Sequence, residues 1–128
     1  MVDFSVAALI ARAKSEIEEC GLSEVEKAIQ DGSHLIIDVR EPGEFSLGHL
    51  KNAINVPRGV LEFRTDPGYP GSVPSLSDKT NKIILYCRSG GRSALAAQSL
   101  GQLGYKAVTS MAGGFMAWEE AKLPVIND

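Results

Sequence analysis

Apolar positions follow two rhythms along the chain: a helical spacing of about three to four residues, and short unbroken runs. Residues 4–14 set Phe4, Ala7, Ala8 and Ala11 on helical spacing and predict an N-terminal helix. Residues 17–20 predict a short strand. Ser23 with Glu26 three residues on reads as a capping box, opening a helix that ends near Asp31 before Gly32. Residues 35–39, Leu-Ile-Ile-Asp-Val, form a β-branched run of the kind buried on both faces of a parallel sheet. Pro42 opens a short helix over 42–47 that Gly48 stops. Residues 53–56 predict a strand and 60–63 a helical turn. Residues 65–81 hold three Pro and two Gly and form the longest loop, either a functional segment or a tolerated surface insertion. Residues 82–86, Lys-Ile-Ile-Leu-Tyr, give the strongest strand signal, and they run straight into Cys87. A loop over 87–92 feeds a helix over 93–103 ended by Gly104. A last strand covers 106–109. Gly113-Gly114 precedes a final helix through Ala121, which Pro124 prevents from continuing. Strands alternating with helices imply an α/β fold, a parallel sheet with helices on both faces. In such sheets the functional site lies beyond the carboxyl ends of the strands.

The 128 residues suit a single domain that can bury its own core. Thirteen Lys and Arg against 16 Asp and Glu give a net charge of −3, which supplies no general attraction for nucleic acid or an anionic membrane. The longest apolar run, residues 6–11, is far short of a membrane span, which needs about 20 residues. The acidic start, Met1-Val2-Asp3-Phe4, does not read as a secretion signal, so a cytoplasmic location is expected. Two cysteines, Cys20 and Cys87, are too few for a disulfide framework, and with His34 and His49 they lack metal-site spacing. Neither a metal nor a cofactor is expected.

Chemistry concentrates in Cys87-Arg88-Ser89-Gly90-Gly91-Arg92. Gly90 and Gly91 permit backbone angles that let consecutive N–H groups turn inward as an anion nest. The following helix adds the positive end of its dipole. Arg88 and Arg92 add two guanidinium groups that match oxyanions. A thiol in that field is expected to ionise more readily than a free one, whose pKa is about 8.5. Cys87 is therefore the candidate nucleophile, with Arg88, Ser89, Gly90, Gly91 and Arg92 around its substrate. Cys20 follows Glu18 and Glu19, which discourage ionisation, and is expected to be structural.

Four pieces of the chain, in order, resemble the single-domain rhodanese family: Asp38-Val39-Arg40-Glu41; Gly48-His49-Leu50 with Ala53-Ile54-Asn55-Val56-Pro57; Tyr86-Cys87-Arg88-Ser89-Gly90-Gly91-Arg92-Ser93; and Gly113-Gly114-Phe115 with Trp118. The resemblance runs from about Ile17 to Val125, so the chain divides into an N-terminal helix, 1–15, and a rhodanese-like domain, 16–128. It implies a doubly wound five-stranded parallel sheet. It also implies transfer of a sulfane sulfur from a small donor such as thiosulfate to cyanide, a thiol or a protein acceptor, through a Cys87 persulfide. Arg88 is then expected to hold the donor's sulfonate. Asp38 and Arg40, at the end of the neighbouring strand, are expected to support the loop, Asp38 by accepting hydrogen bonds from Arg92 or the loop amides. His49 and Trp118 are expected to be structural, and His34 a solvated turn residue. Two alternatives remain beside this expectation. One is a non-catalytic or sulfur-carrier module. The other is a phosphatase of the same fold, whose wider loop places five residues between Cys and Arg where this chain has four.

Overall fold

The computed structural model describes residues 3–127; Met1, Val2 and Asp128, at the ends of the two expected segments, lie outside the described residues. Among the described residues, β1 (Glu18–Cys20), β2 (Leu35–Asp38), β3 (Ile54–Asn55), β4 (Ile83–Tyr86) and β5 (Val108–Met111) form one sheet in the order β1-β5-β4-β2-β3. Every pairing is parallel. The helices are α1 (Val6–Ser15), α2 (Leu22–Asp31), α3 (Pro42–Ser46), α4 (Leu61–Thr65), α5 (Gly91–Gln102) and α6 (Gly114–Glu120).

All four residues of β4 are buried, because β4 is flanked by β5 and β2 and covered on both faces. Successive side chains of a strand point to opposite faces. Ile83 and Leu85 accordingly join Ile37, Leu61, Ala96 and Leu100 in one core cluster, with Ile17 packed against it. Ile84 and Tyr86 join Val25, Ala28, Met111, Phe115 and Trp118 in the other. The sheet is therefore doubly wound, with α4 and α5 on one face and α2 and α6 on the other. The 65–81 loop is anchored by a 3₁₀ turn, Pro74–Leu76, whose Leu76 is fully buried. Its backbone carbonyl accepts the Tyr105 hydroxyl.

Several boundaries shift from the sequence expectation for tertiary reasons. The α1 helix is capped by Ser5, whose Oγ accepts from the Ala8 N–H at 3.1 Å. Its inward face carries Ile10 and the fully buried Ala13, whereas Phe4, Ala7 and Ala11 face solvent. The expected helix forms, and the residues that turn inward lie beside the spaced set rather than on it. The α2 helix starts at Leu22, not after a Ser23 cap; the Glu24 carboxylate accepts from the Gly21 N–H instead. That start brings Leu22 into line with Val25 and Ile29 on the apolar stripe. The β5 strand is displaced toward its carboxyl end, because pairing with β4 sets Val108 beside Ile83 and Ser110 beside Leu85.

Candidate active site

Cys87 follows β4 directly and is 1% exposed. The chain then turns through Gly90, whose φ of +108° is open to glycine and strained for other residues. Gly90 caps α5, which begins at Gly91 rather than at Ser93, so Arg92 and Ser93 sit in its first turn. This wraps the loop around the sulfur. Cys87 Sγ accepts from the Gly90 N–H at 3.1 Å and the Ser93 N–H at 3.4 Å, and the Ser93 hydroxyl lies 3.5 Å away. The Ser93 and Ser110 hydroxyls meet at 2.8 Å, both fully buried. Two amides at a helix N-terminus and a hydroxyl thus converge on one sulfur, a donor set suited to negative charge.

The start of α6 holds the outer side of this loop. The Phe115 N–H donates to the Cys87 carbonyl at 2.8 Å, and the Met116 N–H to the Arg88 carbonyl at 2.9 Å. A β-carbon on Gly114 would stand 2.5 Å from the Arg88 oxygen and 2.7 Å from the Cys87 oxygen. The Gly113-Gly114 pair therefore permits a close backbone approach between two segments far apart in sequence.

The arginines divide differently from expectation. Arg92 makes a two-pronged ion pair with Glu44 of α3, at 2.7 and 3.0 Å. Hydrogen bonding from Arg92 pulls the Glu44 carboxyl down to about 2. Asp38 does not receive Arg92. It accepts from the Arg40 backbone N–H at 2.9 Å, from Nε at 3.0 Å and from Nη2 at 2.6 Å. The two residues leave the same strand end, two positions apart, so this pairing is local and needs no reach across the sheet. Arg40 also donates to the Gly48 carbonyl at 2.7 Å and lies 4.4 Å from the Phe115 ring centre. The Asp38–Arg40 pair is therefore a buried brace joining β2, the turn after α3 and α6. Arg88 and Ser89 are exposed. The Arg88 side chain has no hydrogen-bond or ion-pair partner among the described residues, and it lines a cleft of about 180 Å³ with Arg40, Glu44, Phe115 and Glu119.

The remaining candidates serve structure. The His49 ring lies 2.9 Å from the Leu50 carbonyl through Nδ1 and stacks on Phe45 at 3.9 Å. His34 sits against the Ser33 hydroxyl on the turn before β2, away from the loop. Trp118 is 2% exposed and donates to the Pro124 carbonyl. Cys20 is buried against Thr109, and burial pushes its thiol up. Sequence reasoning missed Ser93, Ser110, Glu44 and the role of Gly114. A hydroxyl in the first turn after a Gly-rich loop was a usable signal for Ser93; Glu44 and Ser110 carried none, because only the fold brings them to the loop.

A buried cysteine on a loop whose amides converge on its sulfur, between the central strand of a doubly wound parallel sheet and the helix after it, defines the class of site. The model of the rhodanese-like domain matches residues 22–121, and the chain belongs to that family. Rhodanese-like domain-containing protein 15 of Arabidopsis thaliana, a chloroplastic protein, is 38% identical over 79% of this chain and 57% of its own length. Thiosulfate sulfurtransferase 16 of the same plant, also chloroplastic, is 40% identical over 71% of this chain and 78% of its own. A Rhodopseudomonas palustris protein of unknown function, described as a possible tyrosine phosphatase, has a solved structure that superposes with a TM-score of 0.88 at 32% identity, covering 98% of this chain and 97% of that one. This chain spans a little over half the length of the first of these relatives.

Proposed function

We propose that the chain is a sulfurtransferase that carries sulfane sulfur on Cys87, with thiosulfate or a similar anionic sulfane compound as donor. The observation that carries this reading is the convergence of the Gly90 and Ser93 amides and the Ser93 hydroxyl on Cys87 Sγ. The thiolate attacks the outer sulfur of thiosulfate. A new S–S bond forms at Cys87, the old one breaks, and its electron pair leaves with sulfite. Cyanide or a thiolate then attacks the outer sulfur of the persulfide and takes it, returning the Cys87 thiolate. This is covalent catalysis through a nucleophile that needs no separate base once ionised. The Arg88 guanidinium, on an exposed residue and without a side-chain partner among the described residues, binds the donor's sulfonate. Cys87 must be a free thiol to act, so a thiol-reducing compartment suits the reaction.

The phosphatase description of the R. palustris relative supplies a rival reading. Two features weigh against it. Four residues separate Cys87 from Arg92, and the Arg92 fork is engaged by Glu44 instead of facing an incoming phosphate. Mass spectrometry after incubation with thiosulfate decides. A gain of about 32 Da on Cys87, removed by cyanide and absent in Cys87→Ser, is the expected result. No sulfur gain, together with turnover of an aryl phosphate, would replace this reading with the rival one.

A further inference from the structure

The α1 helix lies outside the family match, which starts at residue 22, yet it packs along α5 at the active-site loop. Ile10 reaches the first residue of α5: a β-carbon on Gly91 would stand 3.0 Å from Ile10 Cδ1. Helical side chains lean toward the amino end of their helix, so Lys14, one turn after Ile10, is directed back toward the same place. Its ammonium lies 3.9 Å from the point that a β-carbon on Gly90 would occupy. The Gly113 backbone nitrogen lies 3.8 Å from the same point. The Gly90 N–H itself donates to Cys87 Sγ. Beside Gly90 there is thus a notch bordered by two nitrogens from separate elements, at the residue whose own amide holds the sulfur.

Charge around the loop singles out Lys14. Arg92 is neutralised by Glu44 and Arg40 by Asp38. Lys14, like Arg88, has no carboxylate partner among the described residues. Glu16, the C-cap of α1 two residues further on, accepts instead from Gln98. We infer that Lys14 is a specificity-determining residue of the Cys87 site: its ammonium over Gly90 selects anionic donors by drawing their oxyanion end into the notch beside the loop. The N-terminal helix then completes the site, supplying a cation beside Gly90 in addition to Arg88 of the loop. The structural match to the R. palustris protein covers 98% of the chain and so extends over this helix too.

The inference rests on the sulfur-transfer reading only for the identity of the anion, and its test separates the two. Cys87 in the full chain is alkylated with iodoacetate, an anion, and with iodoacetamide, its neutral counterpart. In each case the sulfur displaces iodide. A unit charge at this range is worth about threefold in the rate of an anionic reagent at low salt. Lys14→Gln is therefore expected to lower the iodoacetate-to-iodoacetamide rate ratio at Cys87 by about that factor, and Lys14→Arg to restore it. Added salt should shrink the difference. The KM for thiosulfate should rise by a similar factor in Lys14→Gln with kcat and melting temperature unchanged, because Lys14 is exposed. An unchanged ratio overturns the inference. So does an equal slowing of both reagents with a lowered melting temperature, the mark of a merely structural helix, or a Cys87 that neither reagent reaches. A ratio that shifts in a protein that forms no persulfide leaves Lys14 as an anion-selecting residue and overturns sulfur transfer instead.

Discussion

Arg92 illustrates how one side chain can be diverted from the ligand it faces in sequence. Its guanidinium sits in the first turn of α5, where the field of Cys87 adds to that of Glu44 in keeping it charged. Both oxygens of Glu44 nevertheless occupy the fork, and one of them also accepts from the Glu41 N–H at the start of α3. Arg92 thus ties the Cys87 loop to α3. Both side chains are about one-third exposed, so solvent screening limits the pair to about 1 kcal/mol. Its pH dependence has a definite sign. The folded carboxyl sits near 2, below the unfolded value of about 4.3, so the pair stabilises the fold above about pH 4.3 and the gain is lost as pH falls toward 2. Glu44→Gln should unfold earlier in urea than the parent at pH 7, with the gap closing near pH 2. Arg92→Ala should give a similar loss at pH 7, and the double variant should lose little more than either single one. Additive losses would show that the two side chains act independently.

At the scale of elements, the loop is held from below by α5 and from outside by α6. The α6 hold depends on Gly114, at φ +60° and in contact with the Cys87 and Arg88 carbonyls. Gly114→Ala adds a methyl where no room exists and a backbone strain of about 1–3 kcal/mol. The melting temperature should fall by roughly 4 °C per kcal/mol for a domain of this size. Sulfur uptake by Cys87 should fall more steeply than stability, because the loop must shift to relieve the contact. Gly113→Ala, at φ +78°, shares the strain and would meet the Ala117 methyl group at 2.7 Å, not the loop. It should therefore cost stability while leaving more activity, measured as persulfide yield on the folded fraction. The elements themselves were legible in sequence because strand runs and helical spacing are local. What escaped was set by contacts between elements. Pairing with β4 placed β5, the apolar stripe shared by Leu22 and Val25 placed the start of α2, and docking on α5 chose which face of α1 turned inward.

Across the whole molecule, the sheet separates the two cysteines. Cys87 belongs to the core cluster under α4 and α5, and Cys20 to the cluster under α2 and α6, with β5 lying between their strands. This division was only half legible from the sequence. The Gly- and Arg-rich neighbours of Cys87 made it the expected nucleophile, and the acids before Cys20 made it the expected structural thiol, but the register that puts them on opposite faces is a property of the assembled sheet. Its consequence is that Cys20 cannot act as a resolving thiol for the persulfide we propose at Cys87. A disulfide needs β-carbons about 3.5–4.5 Å apart, and a sheet layer with its own side chains intervenes. Burial also holds the Cys20 thiol protonated, with the Thr109 hydroxyl as its partner. After treatment with thiosulfate and then a slight excess of a thiol acceptor, the protein should return to two free thiols with no internal disulfide, as counted by mass after alkylation without reductant. Cys20→Ala should keep its rate of sulfur transfer and lose about 1 kcal/mol of stability, the cost of a small buried sulfur. An internal Cys20–Cys87 bridge, or a loss of turnover in Cys20→Ala at full stability, would mean that the two faces of the sheet communicate during the reaction.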